Sequence, residues 1–217
     1  MLPDDIRQKV AHIVRGTVLE GEADTITTIR NILCASYPTS RTVKKDFESK
    51  LRIKEEQAEF LNRYSKTNNL FIDTLPSEKQ FLARGGESMV YLALDGRNVL
   101  KLNDAIYYAT WLEFVNSIML HNLFFPNTSY TLLGFTTRET KLLAVMQQPF
   151  IISDELVELD NIKEFLEYND FVHVTRQDYK NSNLGLILED MHDENVLRKT
   201  DTLFFIDSVF YTIIPEV

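Results

Sequence analysis

The run Leu184-Gly185-Leu186-Ile187-Leu188-Glu189-Asp190-Met191-His192-Asp193-Glu194-Asn195-Val196-Leu197, taken up again by Leu203-Phe204-Phe205-Ile206-Asp207, decides how this chain is read. An apolar strand over Leu184–Leu188 ends on an acidic pair, and Asn195 follows Asp190 at short range. A short strand at Val196-Leu197 and another over Leu203–Ile206 then deliver a second carboxylate, Asp207. Phosphoryl transfer needs this set of side chains. One Asp orients the acceptor hydroxyl, an Asn and another Asp hold Mg²⁺ against the phosphates, and the hairpin between them joins the two halves of the metal site. The competing view makes Asp190 and Asp207 turn formers at strand ends; Asn195 at the matching spacing weighs against it.

Working outward, the region after Leu75 consists of short runs rich in Val, Leu, Phe and Tyr. Strands are expected at Phe81–Ala83, Met89–Leu94 and Asn98–Leu102, with Asp95-Gly96 as the strongest hairpin signal in the chain. Asn103 or Asp104 is expected to cap a helix running to about Leu123 and stopped near Pro126. Tyr130–Phe135 and Lys141–Gln147 predict a second hairpin across Thr136–Thr140. A short helix is expected over Asp160–Tyr168 and a strand over Phe171–Thr175.

Residues 1–66 have a different texture and predict helices. Val10, Ile13, Val14 and Val18 recur at helical spacing, and Ile26, Ile29, Ile32 and Leu33 stripe a second helix over Glu22–Ala35. Tyr37-Pro38-Thr39-Ser40 is expected to break it. A third, charged helix over Val43–Tyr64 is expected to turn Phe47, Leu51, Ala58 and Leu61 inward. Lys66–Asn69 is polar and turn-like, a boundary signal. Strands, one helix, more strands and a loop-rich end after a helical start make the fold class α+β.

Composition removes several functions. The 217-residue chain carries a formal net charge of −9, which disfavours sequence-independent nucleic-acid binding, because phosphate contacts need clustered Lys and Arg. Cys34 is the only cysteine, so neither a disulfide framework nor a cysteine zinc site is expected. The start MLPDDIRQKV has no apolar signal core, and no 18-residue apolar run occurs. A cytoplasmic protein without membrane association is expected. His12, His121 and His173 lack partners at metal-ligand spacing and are assigned to packing or surface. The charged run Lys44–Glu59 reads as a solvated helix face.

The catalytic stretch resembles the protein-kinase and aminoglycoside-phosphotransferase superfamily, whose loops read H-R-D-x-x-x-x-N and roughly H-G-D-x-H-x-x-N. Asp190-x-His192-x-x-Asn195 matches the second form from the Asp onward, with Leu188 and Glu189 in place of the leading pair. Of the metal motif D-F-G, Asp207-Ser208-Val209 keeps the Asp. The D-x-H-D-E-N signature is similar to that of the kinase domain of bacterial mobile-element polyvalent proteins.

That resemblance implies roles elsewhere in the chain. Gly85-Gly86-Glu87-Ser88-Met89-Val90 resembles the phosphate-covering loop, with Gly85 on a family glycine. Lys101 falls on the strand that presents a phosphate-binding lysine, and Glu113 on the following helix is its expected ion-pair partner. Met146-Gln147-Gln148-Pro149 lies where the adenine-binding hinge is expected. The implied protein is an ATP- and Mg²⁺-dependent phosphotransferase, with a helical N-terminal region over 1–74 and a reduced kinase-like domain over 75–217. Lys101, Glu113 and Asp190 are the expected catalytic residues. Gly85, Gly86, Ser88, Val90, Lys101, Gln147 and Gln148 are expected to bind nucleotide, and Asn195 and Asp207 the metal. Because the chain ends at Val217, soon after Asp207, the C-terminal lobe is expected to be truncated. The acceptor, protein or small molecule, is not specified, and a pseudokinase or nucleotide-binding interaction module without catalysis is the alternative.

Overall fold

The computed structural model describes residues 3–21, 24–36, 47–86 and 88–213. The expected break at Tyr37–Ser40, the expected helix starts at Glu22 and Val43, and Glu87 of the glycine loop lie outside them. Helices and antiparallel sheets make up the protein, as the α+β pattern requires. The chain divides into two compact units, Glu22–Val115 with Tyr130–Phe150, and Met1–Gly21 with Asn116–Ser129 and Ile151–Val217.

In the first unit, helices α1 excluded, lie α2 (Thr25–Ser36) and α3 (Phe47–Thr67); α1 (Asp4–Arg15) belongs to the second unit. Asp24 starts α2 by accepting the Thr27 N–H at 2.9 Å, the usual N-cap device. The strands are β1 (Phe81–Arg84), β2 (Ser88–Leu92), β3 (Asn98–Asn103), β4 (Thr131–Arg138) and β5 (Lys141–Pro149). They form one antiparallel sheet in the order β1-β2-β3-β5-β4. Tyr91, Leu102, Leu143 and Val145 alternate onto its buried face, with Ile72, Leu75, Met89 and Leu100 packed against them. Gly96 turns the β2–β3 hairpin at φ 65°, and Asp95 accepts the backbone N–H groups of Arg97 and Asn98. The Asn98 side-chain amide, donating to Asp95 Oδ2 at 2.6 Å, and then those backbone bonds hold the Asp95 carboxyl below its ordinary range.

Two helix expectations need correction. The helix expected from Asn103 or Asp104 begins at Trp111 (α4, Trp111–Phe124). Asn103 and Asp104 instead turn back on their own backbone, accepting the N–H groups of Ala105 and Ile106. Such local bonds compete with helix. The true start is Thr110-Trp-Leu-Glu113: Thr110 Oγ1 accepts the Glu113 N–H at 3.1 Å, while Gln57 Oε1 takes the N–H groups of Trp111 and Leu112. That last contact explains the second correction. Among the described side chains of α3, the buried ones are Gln57, Leu61 and Ser65, and Leu51 is exposed, because this face carries a polar cap rather than a purely apolar stripe; the Phe47 side chain lies outside the described residues.

The second unit holds α1, the later part of α4, and α5 (Leu159–Tyr168). Its strands are β6 (Val172–Thr175), β7 (Asp178–Asn181), β8 (Leu186–Glu189), β9 (Val196–Lys199), β10 (Thr202–Phe205) and β11 (Val209–Thr212). One sheet runs β11-β8-β7-β6, and β9 and β10 form a separate hairpin. Phe124, Phe125, Phe171, Phe205 and Phe210 form its aromatic core: Phe125 stacks on Phe205 with centroids 4.2 Å apart, Phe124 stacks on Phe210, and Phe171 meets Phe124 edge-on. Strands β7 and β11 went unread: β7 is a polar Asp-Tyr-Lys-Asn, and β11 follows Asp207 where a loop-rich end was expected.

Candidate active site

Strand pairing brings the catalytic stretch together. Strand β8 ends at Glu189, whose antiparallel partner on β11 is Val209. Asp190 therefore leaves the sheet beside the end of the Asp207–Val209 run. The β9–β10 hairpin, with Val196 opposite Phe205, returns the chain to the same place. The backbone carbonyl of Asn195 accepts the N–H groups of both Ile206, at 2.9 Å, and Asp207, at 3.3 Å. Asp190, Asn195 and Asp207 are thus gathered at one end of these strands.

Inside the loop the side chains orient one another. Asp190 has φ 67°, a left-handed conformation that Asp tolerates better than most residues. Asn195 Nδ2 donates to the Asp190 carbonyl at 2.8 Å and to its carboxylate Oδ2 at 2.9 Å. With the amide nitrogen so engaged, Oδ1 is the atom of Asn195 able to ligate a cation. His192 Nδ1 accepts the Glu194 N–H at 3.2 Å, which leaves the proton on Nε2, 3.2 Å from Asp190 Oδ1. Both Asp190 oxygens are held by donors from its own loop. His192 therefore braces the loop.

Glu189, which stands where the motif has Gly or Arg, keeps its carboxyl above the ordinary range. Burial is the larger cause, and the charges of Asp178 and Asp190 add to it. Asp178 also approaches the Asp190 N–H at 3.4 Å.

Among the described residues, no three His, Cys, Asp or Glu side chains cluster as a metal cage. Asp207 and Asn195 each carry a hard side-chain oxygen, the donor type that Mg²⁺ takes, and that ion uses one or two protein ligands and completes its shell with phosphates and water. A cavity of about 580 Å³ in the same unit is lined by Phe124, Thr128, Asn161, Phe165, Arg198 and Phe205; Asp190, Asn195 and Asp207 do not line it.

The nucleotide-binding candidates lie in the other unit. Lys101 is buried on β3 opposite Val90 and Met146; its ammonium donates to Tyr130 Oη at 3.1 Å and lies 5.2 Å from that ring's centre. Gly85 closes the β1–β2 turn by donating to the Ser88 carbonyl at 2.8 Å, and Ser88 Oγ accepts from Asn103 Nδ2. A Cβ on Gly86 would lie 2.1 Å from Tyr107 Oη, so a larger residue there would have to displace that exposed ring. Gln147 and Gln148 pair with Leu100 and Val99 near the end of β5, and the unit ends at Phe150.

Glu113 does not pair with Lys101 here. Its Oε2 accepts the Ala109 N–H at 3.0 Å, and its Oε1 lies 3.9 Å from Lys50 Nζ. The Thr-x-x-Glu pattern before an apolar run was a legible sign that this carboxylate serves the start of α4.

Residues 54–213 match the family model of the serine/threonine/tyrosine kinase found in polyvalent proteins. The chain belongs to that kinase family. It matches no curated protein and no solved structure. The family span opens inside α3, at Lys54, whose ammonium bonds the carbonyls of Ala105 at 2.6 Å and Tyr108 at 2.8 Å. A family assignment within α3 thus includes the two residues, Lys54 and Gln57, that fasten the approach to α4. No helix among the described residues is long and apolar enough to cross a membrane.

Proposed function

We propose that this polyvalent-protein kinase is an ATP- and Mg²⁺-dependent phosphotransferase acting on a hydroxyl acceptor. The observation that carries the proposal is the hydrogen bonding of Asn195 to Asp190 and Asp207, which gathers a base, an amide ligand and a carboxylate ligand at one strand end.

In this scheme Asp190 orients the acceptor hydroxyl and takes its proton as the oxygen attacks the γ-phosphorus of ATP and the bond to the β–γ bridging oxygen breaks, releasing ADP. Its two oxygens are already held by Asn195 and His192, so little orientational freedom remains to be lost at the moment of reaction. Asn195 Oδ1 and the Asp207 carboxylate hold Mg²⁺, which when bound neutralises charge on the phosphates. Lys101 engages the non-transferred phosphates, and the amides of Gly86 and Ser88 cover them beside Val90, with Gly85 shaping the turn that presents them. Gln147 and Gln148 flank the adenine. The helices before residue 75 form an N-terminal region joined to the kinase-like domain of 75–217, and the protein works in the cytoplasm.

The missing Lys101–Glu113 pair favours one second reading, a pseudokinase that binds nucleotide without turning it over. In it, Glu113 serves only α4 and Lys101 alone meets the nucleotide.

The deciding experiment measures Mg²⁺-dependent ATP turnover with water, small hydroxylated compounds and the chain's own serines, threonines and tyrosines as acceptors. Asp190→Asn should lower turnover on the order of 10²–10⁴-fold while nearly sparing ATP affinity. Asp207→Asn should weaken Mg²⁺-dependent ATP binding. Tight ATP binding with no turnover on any acceptor establishes the pseudokinase instead.

A further inference from the structure

We propose that Ser117 and His121 of α4 are positioning residues for Asp207, acting through a buried polar clasp on the segment Phe205–Phe210. The inference rests on Asp207 being a Mg²⁺ ligand and goes beyond it by saying what holds that ligand in place.

Helix α4 is otherwise apolar on its buried face, with Phe114, Val115, Ile118 and Leu120 inside. Ser117 and His121, one turn apart and therefore on one face, are both fully buried. His121 Nδ1 lies 2.7 Å from Ser208 Oγ, and its Nε2 lies 3.0 Å from the Thr128 carbonyl. A carbonyl only accepts, so Nε2 carries the proton and Nδ1 accepts from the Ser208 hydroxyl. Thr128 Oγ1 in turn donates to the Phe205 carbonyl at 2.6 Å. Ser117 Oγ accepts the Phe210 N–H at 2.9 Å.

The backbone around Asp207 is thereby tied at 205, 208 and 210, and the Asp207 N–H itself meets the Asn195 carbonyl. Ser208 stands where the D-F-G motif has Phe, so a hydrogen bond replaces an apolar contact at that position. A pair of apolar side chains would pack here at little cost, whereas a buried polar pair is costly once one member is lost. What the polar version adds is direction: it fixes where the residue before Ser208 points.

The test is a Mg²⁺ titration of ATP-dependent thermal stabilisation on the full chain, in wild type, Ser208→Ala, His121→Gln and His121→Asn. Asn places its Oδ1 near the position of the His Nδ1 and keeps the Ser208 bond; Gln places its amide near Nε2 and keeps the Thr128 bond instead. Ser208→Ala and His121→Gln should raise the half-effective Mg²⁺ concentration about tenfold, the effect of losing one buried hydrogen bond. His121→Asn should melt lower yet retain the wild-type Mg²⁺ requirement. Equal Mg²⁺ requirements in all four proteins would overturn the proposal and leave the clasp as packing, as would an equal shift in Asn and Gln. If Ser208→Ala does not fold, the Gln and Asn pair decides alone. A wild type with no Mg²⁺-dependent response to ATP sinks the metal assignment itself, and the clasp's role with it.

Discussion

Single side chains around Asp190 make the sharpest predictions. Glu189 is protonated more readily in the folded protein than in the unfolded chain, because burial and the neighbouring Asp178 and Asp190 oppose its charge. The folded state binds this proton more tightly, so stability from Glu189 is fully present below the unfolded value near 4.5 and is lost as pH rises through the raised folded value. Glu189→Gln should therefore melt higher than wild type at neutral pH. The advantage should vanish as the buffer falls to the ordinary Glu range, and parallel melting curves of the two proteins against pH check it. His192→Ala removes the donor to Asp190 Oδ1 and the acceptor of the Glu194 N–H. Turnover should fall by up to about 10²-fold through misplacement of Asp190, with ATP affinity unchanged. An equal loss in ATP affinity would show that His192 shapes the nucleotide site instead.

Between elements, the join of α3 to α4 is the contact most exposed to a single substitution. Gln57 is 1% exposed and alone satisfies the N–H groups of both Trp111 and Leu112. Gln57→Ala leaves two buried donors at a helix start and should cost about 1–3 kcal/mol, read from the denaturant midpoint. A second element-scale test compares two glycines. Gly134 lets β4 pass under Leu70, whose carbonyl would sit 2.0 Å from an added Cβ, whereas Gly96 has open space around it. Gly96→Ala should cost about 1 kcal/mol for its left-handed backbone alone. Gly134→Ala should cost clearly more, because the backbone of one strand must move. Similar midpoints for the two would mean that the Leu70–Phe135 pairing gives way easily.

For the molecule as a whole, the helices ahead of residue 75 matter to the kinase-like region through α3. A chain beginning at residue 75 keeps every residue of the proposed site but loses Lys54 and Gln57. It should melt well below the full chain, while a chain beginning at residue 47 should recover most of the difference. Thermal melts with and without ATP and Mg²⁺ check this, since a ligand that binds only the folded protein raises its melting temperature in both. Equal melting of the 75–217 chain and the full chain would show that the N-terminal helices fold as an independent region.

Asp190, Asn195 and Asp207 could be found in the linear sequence because short hairpins join them: local chain geometry alone returns Asn195 to the Asp207 backbone. Lys101 on a strand after the Asp95-Gly96 turn was legible for the same reason. The partner of Lys101 was not. Glu113 sits at helical spacing for the role, but the nearby N–H of Ala109 and the Lys50 ammonium take its carboxylate, and the outcome depends on where α4 begins. That start is set by Gln57, a residue of another helix. His121 looked like a packing residue because its partners, Ser208 and Thr128, are a remote strand end and a loop. Spacing along the chain determined which groups meet within a hairpin. Only the tertiary structure decided which buried polar groups meet across elements, because each must find a hydrogen-bond partner wherever the fold supplies one.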